Sequence, residues 1–326
     1  MRTGRRERDG PHCRTPFVHR PSSSVHPRIF RPATAHAPVS VLTICNHKGG
    51  TGKTTTSIHV AVALAREGRR VLAVDLDPQG FLTRLLGLDE PAPEQSSLAL
   101  LTPDADLRAL APVHTVGIDV LGASMALTQA VRRFTQPTDV LWLRETLRGD
   151  HGYDVVLLDT AAAVSVYTMN ALAASDLVVI PVTPEYQPVV GAEQTWQTCG
   201  LVKRKLNPAL AVPRFLLTQV DGRLNRHARY ATYLRETYRD AVLPTVIRTS
   251  SSLTGAVRDG QTVYDLYPAP RGATDYLSAT AEIGAALGLP PAPAPTPAPP
   301  SAETPAEPSG DGAAEPTATW TPLDRL

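Results

Sequence analysis

A doubly wound α/β fold, with a mostly parallel sheet carrying helices on both faces, is what this 326-residue sequence predicts. Three observations carry that expectation. Short continuous apolar runs such as Val155-Val156-Leu157-Leu158 and Leu177-Val178-Val179-Ile180 recur along the chain, as strands buried on both faces require. Helical patterns separate them, giving the alternation of a βαβ fold. The first apolar run also leads through a glycine-rich turn into a helix. The expected strands are 39–46, 70–76, 118–122, 154–159, 177–182, 214–219 and 242–247. A ligand is expected at their carboxyl ends.

The first strand, Val39 to Cys45, is followed at 46–56 by Asn-His-Lys-Gly-Gly-Thr-Gly-Lys-Thr-Thr-Thr, and then by a helix patterned through Ile58, Val60, Ala61 and Leu64. A glycine-rich turn between strand and helix presents successive backbone N–H groups to an anion, and the helix N-terminus adds partial positive charge. Residues Lys48, Gly49, Gly50, Thr51, Gly52, Lys53, Thr54 and Thr55 thus form a phosphate-binding loop. Lys53 would reach the β and γ phosphates, and the Thr54 hydroxyl would ligate Mg²⁺. The usual loop starts with glycine five residues before the Gly-Lys pair. Here His47 stands at that position, and a second lysine, Lys48, follows it.

The next strand ends in Asp75-Leu76-Asp77-Pro78-Gln79-Gly80. Asp77 is placed to hold an attacking water near a γ-phosphate, and Asp75 to support the metal shell. Val155 to Asp159 is a further apolar strand ending in a carboxylate. Asp159 would bind Mg²⁺ directly or through water. Asp154, before that strand, reads as a solvated residue.

The form Lys-Gly-Gly-x-Gly-Lys-Thr resembles the deviant phosphate loop of the ParA/Soj/MinD superfamily, whose early lysine crosses a dimer interface to the partner's nucleotide. That resemblance implies a catalytic part for Lys48 as well as for Lys53 and Asp77. Asp-x-Asp-Pro-Gln-Gly looks like the family's switch I, whose second aspartate is needed for hydrolysis. After the Asp159 position the family commonly has Pro-Pro, whereas this chain has Thr160-Ala161-Ala162-Ala163, a departure that bears on hydrolysis rate and leaves binding intact. The runs 170–176 and 180–186 are similar to the family, with Glu185 open to a ribose, interface or structural role. Leu216 to Asp221 falls where the family builds its adenine pocket. Val246-Ile247-Arg248 and Pro270-Arg271-Gly272 resemble two segments whose arginines contact DNA. Guanidinium forks suit phosphate oxygens, and such contacts carry little sequence information. The resemblance spans about residues 39–288.

Charge is unevenly spread. Residues 38–200 hold 11 basic and 17 acidic side chains, whereas 201–275 hold 12 and 6. The basic segment fits either a polyanionic partner or an ordinary solvated surface. Lys203-Arg204-Lys205 reads as a solvated helix face. Three widely spaced cysteines, Cys13, Cys45 and Cys199, suggest neither a disulfide framework nor a zinc site, and Cys45 reads as a small buried residue. No stretch approaches the roughly 20 apolar residues of a membrane span.

Three regions are expected: 1–37, 38–289 and 290–326. Residues 1–37, with eight arginines and two acids, read equally as a disordered basic arm or as sequence upstream of a misassigned start codon. From 290 onward, eleven prolines among Ala, Thr, Glu and Ser predict an extended, disordered tail, with Trp320 and Leu323 as a docking motif or as nothing.

Taken with the resemblance, the expectation is an ATPase using ATP and Mg²⁺ that dimerises on ATP and binds double-stranded DNA without sequence preference. It would work with a ParB-like partner in the cytoplasm on the nucleoid, segregating a plasmid or chromosome. A protein cargo on the same DNA surface is an alternative. A MinD-like division regulator would need an amphipathic basic C-terminal helix, against which the proline-rich tail argues. A metabolic enzyme on this fold would need a substrate motif or cluster ligands that the chain does not show.

Overall fold

The computed structural model describes residues 39–255, 261–266 and 269–290. The expected arm at 1–37 and nearly all of the tail after 290 lie outside the described residues. The strands are β1 (Ser40–Ile44), β2 (Val71–Asp75), β3 (Val113–Thr115), β4 (Ile118–Leu121), β5 (Val155–Asp159), β6 (Leu177–Val182), β7 (Arg214–Val220) and β8 (Val242–Arg248). The helices are α1 (Lys53–Arg66), α2 (Phe81–Leu85), α3 (Ala126–Ala130), α4 (Trp142–Leu147), α5 (Val166–Ala174), α6 (Tyr186–Lys205), α7 (Asn225–Tyr238), α8 (Ser251–Gly255) and α9 (Arg271–Ala286). All the strands join one sheet in the order β3-β4-β2-β5-β1-β6-β7-β8. Each pairing is parallel except β3–β4.

Strand residues alternate between two cores. Leu42, Ile44, Val155 and Leu157 pack with α1 and α9 residues such as Ile58, Leu64 and Ile283. Their neighbours Val41, Val156 and Leu158 face the other way, onto Leu143 of α4 and Tyr167 of α5. Further along the sheet, Val178, Ile180 and Phe215 meet Val189 of α6 and Leu234 of α7. Side chains on a strand alternate between faces, so burying both faces makes every position apolar and yields the continuous runs of the sequence.

Every expected strand is present, and β3 is an addition. It forms a short antiparallel edge with β4 through Val116 (φ 46°) and Gly117 (φ 85°). Two positive φ values are the signature of the tight hairpin turn, but a β-branched residue is the least expected one to adopt the first. Cys45 and Cys199 are buried free thiols, and burial pushes the Cys45 thiol up to about 11.

His59 lies at the seam of α1 and α9. It is fully buried, donates Nδ1–H to the Thr55 carbonyl at 2.7 Å, and stacks on Tyr276 at 4.9 Å between ring centroids. Its Nε2 is buried with no partner, so burial pushes its pKa down to about 4. The unfolded chain therefore binds a proton near pH 6.5 that the folded chain refuses. Stability from this site is complete above pH 6.5 and is lost as pH falls toward 4. The loss is about 3 kcal/mol for a shift of this size. Denaturant unfolding at pH 7 and pH 4.5 should show this sensitivity in the natural chain and a smaller one in His59→Phe; equal pH dependence of the two would contradict it.

Candidate nucleotide and DNA sites

β1 sits between β5 and β6, where the strand order reverses. The loop following β1 therefore opens into the crevice at the carboxyl ends, the ligand position in open α/β sheets. Gly50 (φ 77°) and Gly52 (φ 80°) take left-handed conformations that favour glycine, and this is what wraps the loop. Gly52 is the N-cap of α1 and no side chain caps that end, so the first-turn N–H groups are directed at an anion. Two residues of β7 brace the loop from outside. Thr218 Oγ1 donates to the Thr51 carbonyl at 2.9 Å, and Gln219 Nε2 donates to the Gly50 carbonyl at 2.7 Å. The segment expected near an adenine thus touches the phosphate loop itself.

Lys53 is buried and its Nζ donates to the Lys48 carbonyl at 3.1 Å. Burial lowers its pKa, opposed chiefly by the nearby Asp159 carboxylate. Thr54 Oγ1 donates to Asp159 Oδ2 at 2.9 Å, and Ser57 Oγ donates to Oδ1 at 2.6 Å. Asp159 is fully buried, and burial with the nearby Asp75 charge pushes its carboxyl upward. A hydroxyl and a carboxylate meeting in a buried pocket are the oxygen donors that Mg²⁺ takes, and a dication there would relieve the cost of that buried carboxylate. Among the described residues no cluster of three or more His, Cys, Asp or Glu side chains is arranged to hold a metal. A cation here would therefore share its shell with hydroxyl, water and phosphate oxygens.

Asp75 lies beside Asp159 in the β2–β5 register, and both of its oxygens accept hydrogen bonds from its own turn. Oδ2 accepts from Thr83 N–H and Oγ1, and Oδ1 accepts from Asp77 N–H. Asp75 thus organises the turn that carries Asp77, beside the Asp159 that would hold the metal. In that turn Asp77 Oδ1 accepts from Gln79 N–H at 2.9 Å, and Gly80 closes the turn at φ 59°. Asp77 is half-buried, facing the crevice end of β2.

Lys48 is half-exposed, and among the described residues its ammonium makes no hydrogen bond or ion pair within the chain. It borders an open groove of about 980 Å³, lined also by Tyr186 and Val190 of α6 and by Arg229 and Tyr233 of α7. Glu185 pairs with Arg226 at 3.2 Å and His227 at 3.4 Å, joining the end of β6 to α7 at the lining of the same groove. Ala162 lies against Gly49, where a glycine Cβ would come within 4.0 Å.

Arg248 closes β8 and is held by Asp275 of α9 in a bidentate pair at 2.6 and 3.0 Å. Asp275 also accepts the Arg248 backbone N–H. Arg271 is exposed at the first position of α9, one turn before Asp275. Both arginines thus stand at the α9–β8 packing, Arg271 exposed at the helix start and Arg248 with two of its donors engaged by Asp275. Lys203 is tied to the Leu210 carbonyl, whereas Arg204 and Lys205 lie exposed. Among the described residues no helix is long and apolar enough to cross a membrane.

Sequence reasoning did not identify Ser57, Thr83 or Thr195, and gave Asn46 and Gln219 no role of their own within the segments that hold them. Ser57 had a usable signal, since it lies three residues after Thr54 and so shares its helix face. Thr83 acts on Asp75 eight residues before it, across a turn, and Asn46, Thr195 and Gln219 act across long stretches of chain.

A family model described as an AAA domain matches residues 39–212. The sporulation initiation inhibitor protein Soj of Bacillus subtilis is 36% identical over 248 residues, covering 75% of this chain and 98% of its own. The chromosome-partitioning ATPase Soj of Thermus thermophilus is 38% identical over 252 residues, covering 76% of this chain and 96% of its own. Among solved structures, cobyrinic acid a,c-diamide synthase from Mycobacterium smegmatis with bound ADP and magnesium superposes with a TM-score of 0.64 at 30% identity, covering 76% of this chain and 94% of its own.

Proposed function

Because this chain belongs to the ParA/Soj family of partition ATPases, we propose that it is an ATP-switched dimer that binds DNA without sequence preference and segregates a plasmid or chromosome with a ParB-like partner. It is an ATPase using ATP and Mg²⁺. The likeness to a synthase does not shift this reading, since the relatives of higher identity are the Soj proteins.

The backbone N–H groups from Gly49 to Thr55 receive the phosphates, and Lys53 places its poorly solvated ammonium against the β and γ oxygens. Thr54 and Asp159 hold Mg²⁺, which when bound would offset charge developing on the transferring phosphoryl group. Asp77 orients the attacking water, on a turn that Asp75 keeps in place. Ala161-Ala162 in place of the family's proline pair leaves the adjoining loop less constrained, which fits slow hydrolysis that a partner stimulates.

The observation that carries the dimer reading is the contrast between the two lysines. Lys53 is buried and engaged on its own loop, whereas Lys48 borders an open groove and its ammonium has no partner among the described residues. A second subunit's phosphates would supply that partner. Dimerisation doubles each weak phosphate contact of Arg248 and Arg271, a gain by multivalency, and places the protein on the nucleoid.

Electrophoretic retardation of two unrelated duplexes tests the reading. Binding is expected with ATP, equal on both sequences, and falling steeply with salt. Arg271→Ala should weaken both alike and lower the log–log salt slope by about two units in a dimer, one per contact. Arg248→Ala is the poorer probe, because it also strands the buried Asp275 carboxylate. If the ATP-bound dimer retards no DNA at low salt, a protein-only switch becomes the better account.

A further inference from the structure

We propose that Thr195 and Gly191, one turn apart on α6, are positioning residues for Lys48. The inference rests on the reading that Lys48 acts across the dimer interface. It comes from how the two halves of the phosphate loop are anchored. The second half, from Gly50 onward, is braced by Thr218 and Gln219 of β7 and runs into α1. The first half, residues 46–48, is held by β6 and α6.

Three contacts make that hold. Thr195 Oγ1 is fully buried, accepts the His47 N–H at 3.0 Å and donates to the Gly191 carbonyl at 2.8 Å. Buried Asn46 donates Nδ2 to the Pro181 carbonyl at 2.7 Å and accepts the Lys48 N–H on Oδ1 at 2.9 Å. A Cβ at Gly191 would come within 2.7 Å of Lys48 Cβ, 3.0 Å of Asn46 Oδ1 and 3.2 Å of the Lys48 nitrogen. Gly191 lies inside a 20-residue helix, where glycine is unfavourable relative to alanine. The close approach of Lys48 is the reason for it. The Lys48 Cβ is thus seated on bare helix backbone, and its side chain leaves from there along the groove between α6 and α7. The second half meets this one at the Lys48 carbonyl, which accepts from Lys53 Nζ at 3.1 Å, where phosphate oxygens would compete, and from Thr51 Oγ1 at 3.4 Å.

Displacing the α6 seat should therefore move Lys48 and spare nucleotide binding by a single subunit. The test measures ADP–Mg²⁺ affinity by calorimetry, and dimerisation by sedimentation with a non-hydrolysable ATP analogue, in the full chain. Thr195→Val keeps the shape but leaves the His47 N–H unpaired. It is expected to hold ADP within about twofold and to weaken dimerisation by about tenfold or more, the scale of one stranded buried donor. Thr195→Ser restores the hydroxyl and should restore the dimer. Gly191→Ala should act like Thr195→Val, and adding either to Lys48→Ala should bring no further loss.

Normal dimerisation of Thr195→Val beside a failing Lys48→Ala would overturn the positioning role and leave the cross-subunit reading standing. Equal loss of ADP affinity and dimerisation in Thr195→Val, or failure of Thr195→Ser to recover, would overturn it in favour of a general structural role. Normal dimerisation of Lys48→Ala itself would remove the cross-subunit reading, and the positioning proposal with it.

Discussion

Asp77→Ala is expected to bind ATP and form the dimer, yet to hydrolyse ATP about 10²–10⁴-fold more slowly, the usual cost of losing a group that orients or deprotonates a nucleophile. The geometry supports this division of labour. Asp77 follows β2 at the carboxyl end of the sheet, and Asp75 takes its backbone N–H. One of its own oxygens accepts the Gln79 N–H. An alanine removes both that turn contact and the carboxylate, so Asp77→Asn is the necessary companion. Asparagine keeps an oxygen for Gln79 but loses the charge. Both variants should fall together in phosphate release while retaining the dimer. Loss in alanine with full turnover in asparagine would reduce Asp77 to a turn residue, and so would wild-type turnover in both.

Lys53→Ala should weaken ATP binding by at least about 2 kcal/mol, roughly thirtyfold, as for a charge-assisted contact. The structure explains why this lysine has more to lose than a surface one. Its ammonium is already withdrawn from water, so burial lowers its pKa, and the nearby Asp159 carboxylate opposes that shift. Phosphate oxygens reaching it meet a cation that gives up little hydration. Its removal also takes a compensating charge away from the buried Asp159, whose carboxyl is already pushed upward. Calorimetry with Mg²⁺ present measures the effect. Near-unchanged affinity would remove the phosphate-loop assignment.

Much of the architecture was legible along the chain. A strand covered on both faces has no polar side to display, so β2, β5 and β6 announce themselves as apolar runs. The phosphate loop is legible because its chemistry is contiguous: the glycines that permit positive φ, the lysine and the hydroxyl all fall within a few residues. Asp159 and Asp77 are legible as carboxylates at strand ends in such a fold. The short β3 was not, because Val116 takes a turn conformation that its side chain disfavours.

What tertiary structure alone decided is how these residues are held and what they have left to offer. Asp75 and Arg248 carry the right chemistry in sequence, but Thr83 and Asp77 occupy the first, and Asp275 holds the second in a fork. The anchors of Lys48 lie far along the chain, with Thr195 148 positions after His47. Ser57 and Thr54 reach a carboxylate more than a hundred residues away. The type of a residue sets which bonds it is able to make, and that is written locally. Whether those bonds are already spent inside the fold depends on which distant segment the packing of the sheet and its helices brings alongside.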